Sequence, residues 1–261
     1  MCNTGKELRL SKIFGRDGKT LIVPLDHGIC SGAVNGLEFP ERTINNLKEG
    51  GVDAFIAAYG MVKKFHKDFA GYGLILRMDG GPSDFANDIE ETKLMCTLED
   101  AIRLGVDAVI TSTWLGGPNE ARTVASSMRL AAQCDAWGVP LIIETFVSSC
   151  LEPTVQNVAM AARIGCEIGA DVIKTYLVGD AKAYSQVTKE CFCPVVILGG
   201  EKSDDELMVL KWTKTAIDAG ACGTSIGRNV YQHKNPIGVT KAMRAIIHGN
   251  ASVEEATQFL K

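Results

Sequence analysis

A few residues in this chain have the types and settings that carbonyl chemistry needs. Lys174 directly follows Val172-Ile173, so a charge stands among apolar neighbours. Burial there, with positive charge nearby, lowers an amine's pKa and frees the lone pair that attacks a carbonyl to form a Schiff base. The simpler role for the same lysine is an ion pair with Asp26 or Glu144. Asp26 opens Asp26-His27-Gly28 after an apolar run, where the chain is expected to turn sharply. A carboxylate there can shuttle protons to and from a carbinolamine or enamine, or it can merely cap the next helix. His27 suits a structural role as well as a catalytic or substrate-binding one. Gly199-Gly200, with Lys202 close behind, and Gly227-Arg228 combine glycines with cations. Glycine lets backbone N–H groups approach an anion closely, so both pairs are candidate phosphate-binding turns. The histidines His27, His66, His233 and His248 show no H-x-x-H or H-x-H pairing, which argues against a metal-dependent site. His66 and His248 are expected at the surface.

The elements that must hold these residues can be read from a repeated junction of Gly, a small residue, usually Asp, then a short apolar run. It occurs at Gly51-Val52-Asp53, Gly105-Val106-Asp107, Gly169-Ala170-Asp171 and Gly220-Ala221-Cys222. Glycine at each suits the end of a helix. The copies stand 54, 64 and 51 residues apart, room for two strand–helix units each. Four more apolar runs, beginning at Leu21, Leu74, Leu141 and Val195, fall between them. Eight short, continuously apolar strands alternating with helical segments predict a single-domain (βα)8 barrel over residues 1–261, with 1–18 as an N-terminal extension. No G-x-G-x-x-G follows the first strand, which disfavours a doubly wound dinucleotide fold. In such a barrel the chemistry lies at the carboxyl ends of the strands, where Asp26, His27, Gly28, Glu144, Lys174, Gly199, Gly200, Lys202, Gly227 and Arg228 fall.

The chain has 261 residues, 46% hydrophobic and 22% charged, with a net charge of −4. Its cations are scattered, so no basic stripe for nucleic acid is present. No apolar stretch approaches the roughly 20 residues that span a bilayer. Nine cysteines at irregular spacing fit buried free thiols in a reducing cytoplasm better than a disulfide framework or a zinc site.

From about Leu10 to Phe259 the chain resembles the DhnA-type class I aldolases. That family includes archaeal-type fructose-bisphosphate aldolase, 2-amino-3,7-dideoxy-D-threo-hept-6-ulosonate synthase and the thiolase that processes phosphorylated autoinducer-2. The resemblance rests on residues 19–28 (KTLIVPLDHG), 169–176 (GADVIKTY), 194–200 (PVVILGG) and 225–233 (SIGRNVYQH). It implies Lys174 as the Schiff-base lysine, Asp26 as the proton-transfer acid, and phosphate at Gly199-Gly200 and Gly227-Arg228. It also implies no metal or cofactor, and a ring-shaped homo-oligomer, commonly a decamer of two pentamers. One position departs from the pattern: the aldolases carry a tyrosine acid/base in a Tyr-Pro-Arg-Gly turn after the fifth strand, and here the turn is Phe146-Val147-Ser148-Ser149. Residues two apart on a strand share a face. Glu144, on the face of Phe146, is therefore the first candidate for the missing group, and Tyr176, on the face of Lys174, is the second. The expected activity is aldol cleavage or transfer on a small phosphorylated ketose such as fructose 1,6-bisphosphate or a deoxy-ketose phosphate. The alternatives are acetyl transfer from a phosphorylated pentane-dione to coenzyme A, and an inactive phosphosugar-binding barrel.

Overall fold

The chain closes on itself as eight parallel strands. The structure, a computed structural model, describes residues 4–86 and 90–261. The strands are β1 (Thr20–Pro24), β2 (Ala54–Ala57), β3 (Gly73–Arg77), β4 (Ala108–Leu115), β5 (Leu141–Val147), β6 (Val172–Thr175), β7 (Val195–Leu198) and β8 (Gly223–Ser225). Each pairs with its neighbours in sequence, and β8 returns to β1 to close the barrel. A helix follows every strand, from Pro40–Gly50 after β1 to Pro236–Gly249 after β8. The sequence pattern anticipated all eight strands because each is covered by helices outside and by packed side chains inside.

The four repeated glycines all adopt left-handed backbone, with φ of 86° at Gly51, 73° at Gly105, 113° at Gly169 and 91° at Gly220. A side chain would strain that conformation. The residue two places on has a shared task. Asp53, Asp107 and Asp171 accept from the amides of Leu21, Leu74 and Leu141 at 2.7, 3.1 and 2.8 Å. Cys222 stands at the same point opposite Val195, to whose carbonyl its amide donates at 2.8 Å. Each second strand is thus tied at its start to the strand before it, which explains the two-unit period of the motif.

Inside the barrel Ile22, Ala54, Ile56, Ile75, Ala108, Ile110, Ile142, Val172 and Val196 form an apolar plug. The segment expected as an N-terminal extension supplies its floor. Helix α1 (Thr4–Ile13) lays Ile13 into the plug, with Leu10 and Phe14 packed against it. Lys6 of α1 is buried and paired with Asp135 and Asp171, and Lys12 with Asp107.

Two expectations need correction. His248 is not a surface residue: its side chain is 16% exposed and its ring nitrogens lie 2.9 Å from Asp17 Oδ2 and Asp53 Oδ2. Those bonds, Asp53 foremost, raise its pKa against the opposing effect of burial. The thiols are free in the eight cysteines described, but only Cys134 and Cys166 are fully buried, and Cys150 is exposed. The others are partly open because most of them lie in the segments that connect strands and helices. Cys2 lies outside the described residues.

Candidate active site

Directly above the apolar plug the interior becomes charged. Strand parity carries the inward face from Ile75 to Arg77, from Ile110 to Ser112, from Ile142 to Glu144 and from Val172 to Lys174. Lys174 is 4% exposed and its Nζ lies 2.7 Å from Glu144 Oε1. Glu144 Oε2 accepts from Arg77 Nη2. Arg77 Nε donates to Asp26 Oδ2 at 2.7 Å, and its Nη1 donates to Asp79 Oδ1 at 3.2 Å and Ser112 Oγ at 3.1 Å. Burial would raise the Asp26 and Glu144 carboxyls, but Arg77 and Lys174 outweigh it and hold both below the usual carboxylate range. Both are therefore anions at neutral pH. Asp26 Oδ1 takes no hydrogen bond from the described residues, so one oxygen of this carboxylate is available to a substrate.

The two carboxylates and the lysine singled out from sequence meet in one layer. Arg77, which links them, was missed. The available signal was the one that marked Lys174, a charge directly after an apolar run, here Leu74-Ile75-Leu76. Beyond this layer Trp114 stacks on Phe146, with ring centroids 4.3 Å apart, and Tyr176 meets Phe146 edge-on at 5.7 Å. Burial, with the charges of Glu144 and Glu90, pushes the Tyr176 phenol up to about 12. The Phe146-Val147-Ser148-Ser149 turn is held by Glu90, a second residue missed from sequence. Its carboxylate accepts from Ser148 Oγ, Ser149 N and Ser149 Oγ, each at 2.8 Å.

On the opposite side of the mouth the two glycine turns are stitched together. Arg228 Nη2 donates to the Gly200 carbonyl at 2.9 Å. Asn229 Nδ2 reaches the carbonyls of Gly199 and Glu201, and its Oδ1 accepts from Ser203 N. A Cβ on Gly199 would come within 2.4 Å of Ile226, and one on Gly227 within 2.8 Å of the Pro24 carbonyl. Glycine is therefore required by close packing. Lys202 does not join this arrangement; it is exposed and donates to the carbonyl of Ser203. Gly28 has no left-handed φ, and a Cβ there would meet nothing within 4 Å, so the expected sharp turn does not demand glycine. His27 is half-buried, and burial together with Arg228 pushes its imidazole pKa down.

Comparison with known proteins decides the family, since a family model described as DeoC/LacD family aldolase matches residues 20–233. The chain belongs to this aldolase family. It is 33% identical over 258 residues to a 2-amino-3,7-dideoxy-D-threo-hept-6-ulosonate synthase of Halobacterium salinarum, covering 98% of this chain and 96% of that protein. It is 30% identical to a 3-hydroxy-5-phosphonooxypentane-2,4-dione thiolase of an Enterobacter species, covering 98% and 85%. Among solved structures, an archaeal fructose 1,6-bisphosphate aldolase superposes with a TM-score of 0.87 at 27% identity, over 94% of this chain and all of that one. Another archaeal fructose-1,6-bisphosphate aldolase, with its catalytic lysine covalently bound to the carbinolamine intermediate, superposes at 0.86 with 28% identity over the same shares. This aldolase is accordingly a carbon–carbon lyase or transferase of the Schiff-base class. Among its described residues no group of three or more His, Cys, Asp or Glu could hold a metal ion, and no helix is long and apolar enough to cross a membrane.

Proposed function

We propose that the enzyme makes or breaks a carbon–carbon bond beside the carbonyl of a small phosphorylated ketose, through an iminium on Lys174. The reading is carried by the 2.7 Å contact between Lys174 Nζ and Glu144 Oε1 in a layer buried from water. A carboxylate at that distance can take the ammonium proton and release a nucleophilic amine. An iminium draws electrons from the adjacent carbon–carbon bond and leaves an enamine on cleavage. Asp26, with one oxygen free, then moves the proton to or from that carbon. The glycine turns joined by Arg228 and Asn229 would take the phosphate, which anchors the carbonyl over Lys174. No resident cofactor is required by this route. The partly open thiols fit a reducing cytoplasm, and exposed Phe39, Trp137 and Phe192 fit burial between copies in a ring-shaped homo-oligomer.

Borohydride reduction in the presence of dihydroxyacetone phosphate, followed by peptide mass spectrometry, should place a stable adduct on Lys174. An unmodified Lys174 would refute the proposal. A second reading, acetyl transfer from a phosphorylated dione to coenzyme A, is favoured by Phe146, which leaves no phenol where the family tyrosine would protonate. Thioester formation on adding coenzyme A and a phosphorylated dione separates the two. Binding of the sugar phosphate with neither adduct nor turnover would mark an inactive barrel.

A further inference from the structure

Arg77 stands at the centre of the charged layer, yet nothing said so far of adduct formation or phosphate capture gives it a task. Its three nitrogens reach three carboxylates: Asp26 at the end of β1, Asp79 just beyond β3, and Glu144 on β5. Asp79 is itself held from behind, because its Oδ2 accepts from Ser112 N at 3.0 Å. The side chains of Asp26, Arg77, Asp79, Glu144 and Lys174 are each 10% exposed or less. Three anions therefore share two cations in a buried layer. Only a planar guanidinium presents donors in three fixed directions; a lysine ammonium would satisfy fewer of them.

We propose that Arg77 is the positioning residue of the reaction: it fixes Glu144 against Lys174 as the acceptor of the lysine proton and holds Asp26 by one oxygen, leaving the other for substrate. The proposal rests on the reading of Lys174 as nucleophile. With Oε2 bound to Arg77, the Glu144 carboxylate cannot swing away from Nζ. The ammonium passes one proton to Glu144 Oε1, and the freed nitrogen pair bonds the carbonyl carbon while the π pair moves to oxygen. That oxygen recovers the first proton through Glu144 and receives the second from nitrogen. It leaves as water when the nitrogen pair closes the C=N bond. One ammonium and one carbonyl thus become one iminium cation and one water. The layer keeps the same total charge, so an arrangement of three anions and two cations that accommodates the ammonium also accommodates the iminium.

Removing Arg77 leaves three anions facing one cation. Asp26 and Glu144 would then lose the cation that helps hold their carboxyls low, and both would protonate at higher pH. Among the described residues the other titratable groups close to them are His27 and Cys30 after β1, Cys96 between β3 and β4, Tyr176 after β6 and Tyr231 after β8, and none of these is altered.

The test uses the full chain and its variants Arg77→Met, Arg77→Lys and Asp79→Asn. The rate of borohydride-trapped dihydroxyacetone phosphate on Lys174 is followed across pH, together with Tm. For Arg77→Met the rate is expected to fall about 100-fold, the size of a general acid–base effect. Its acid limb should move to higher pH, while the half-saturating phosphate ester concentration changes little. Arg77→Lys should recover part of the rate. Asp79→Asn, which touches Arg77 but not Lys174, should lose less and shift the limb the opposite way, to lower pH, because it removes an anion and leaves Arg77 to fewer carboxylates. Should Arg77→Met fail to fold, Asp79→Asn decides. Folded variants with wild-type rate and limb, or with a lowered Tm alone, would overturn the positioning role. If the wild type itself is not labelled, the Schiff-base reading fails and the role of Arg77 falls with it. A labelled wild type with an equally labelled Arg77→Met overturns only the latter.

Discussion

The two ends of the barrel are built from the same charged residue types and put them to different uses. At the floor, each of Asp53, Asp107 and Asp171 binds one strand-start amide and one or more cations: Arg244 and His248, Lys12, and Lys6 respectively. Both oxygens are spoken for, and the cations come from helices that wrap the outside or seal the bottom. At the mouth, Asp26 and Glu144 receive no backbone donor from the described residues. They are held by Arg77 and Lys174, and Asp26 keeps an oxygen in reserve. A carboxylate saturated by amides and cations is a fastener; one held only by side chains can exchange a proton.

Substitutions should separate the two ends. The largest effect is expected from Lys174→Met, which removes the proposed nucleophile. Turnover should drop by at least about 10⁴-fold, with circular dichroism unchanged. Asp26→Asn keeps the shape and one hydrogen bond to Arg77 but cannot transfer a proton. A loss of about 10²–10⁴-fold in turnover is expected, with the Lys174 adduct still trapped, and retained turnover would show that another group moves the proton. At the floor, Asp171→Ala strands the Leu141 amide and takes one of two carboxylate partners from the buried Lys6. Denaturant titration should show a loss of about 2–3 kcal/mol, while kcat of the folded enzyme stays unchanged. A fall in kcat would break the contrast between the ends.

The smallest effect is expected at His248. Because its folded pKa is raised, its contribution to stability is complete below the unfolded value of about 6.5 and fades as pH rises through the folded one. A His248→Gln variant should therefore lie about 1 kcal/mol below wild type in acid, and the gap should narrow on going to alkaline pH. Acid loss at the mouth has the opposite sign. Asp26 and Glu144 have lowered pKa values, so their contribution is present above the ordinary carboxylate range and is lost as pH falls through the folded values.

Much of the site could be read along the chain because strand parity and the position of a charge after an apolar run are local facts. Lys174, Glu144 and Asp26 were found that way, and Arg77 carried the same mark. Glu90 was not legible, since it lies between strands and its worth comes from Ser148 and Ser149, nearly 60 positions away. The misplacement of Lys202 has a similar cause: proximity in sequence to a glycine turn does not fix the direction of a flexible side chain.

What the sequence determined by itself is the succession of eight strands and helices, the glycines that end the helices, and which strand residues face inward. Those follow from backbone sterics and from the two-residue period of a strand. Only the closed barrel decided the partnerships. Asp26 and Glu144 lie 51 and 67 positions from Arg77, on strands that are not neighbours of β3. They meet because the barrel is narrow enough for a guanidinium to reach across its interior, a distance set by strand number and tilt.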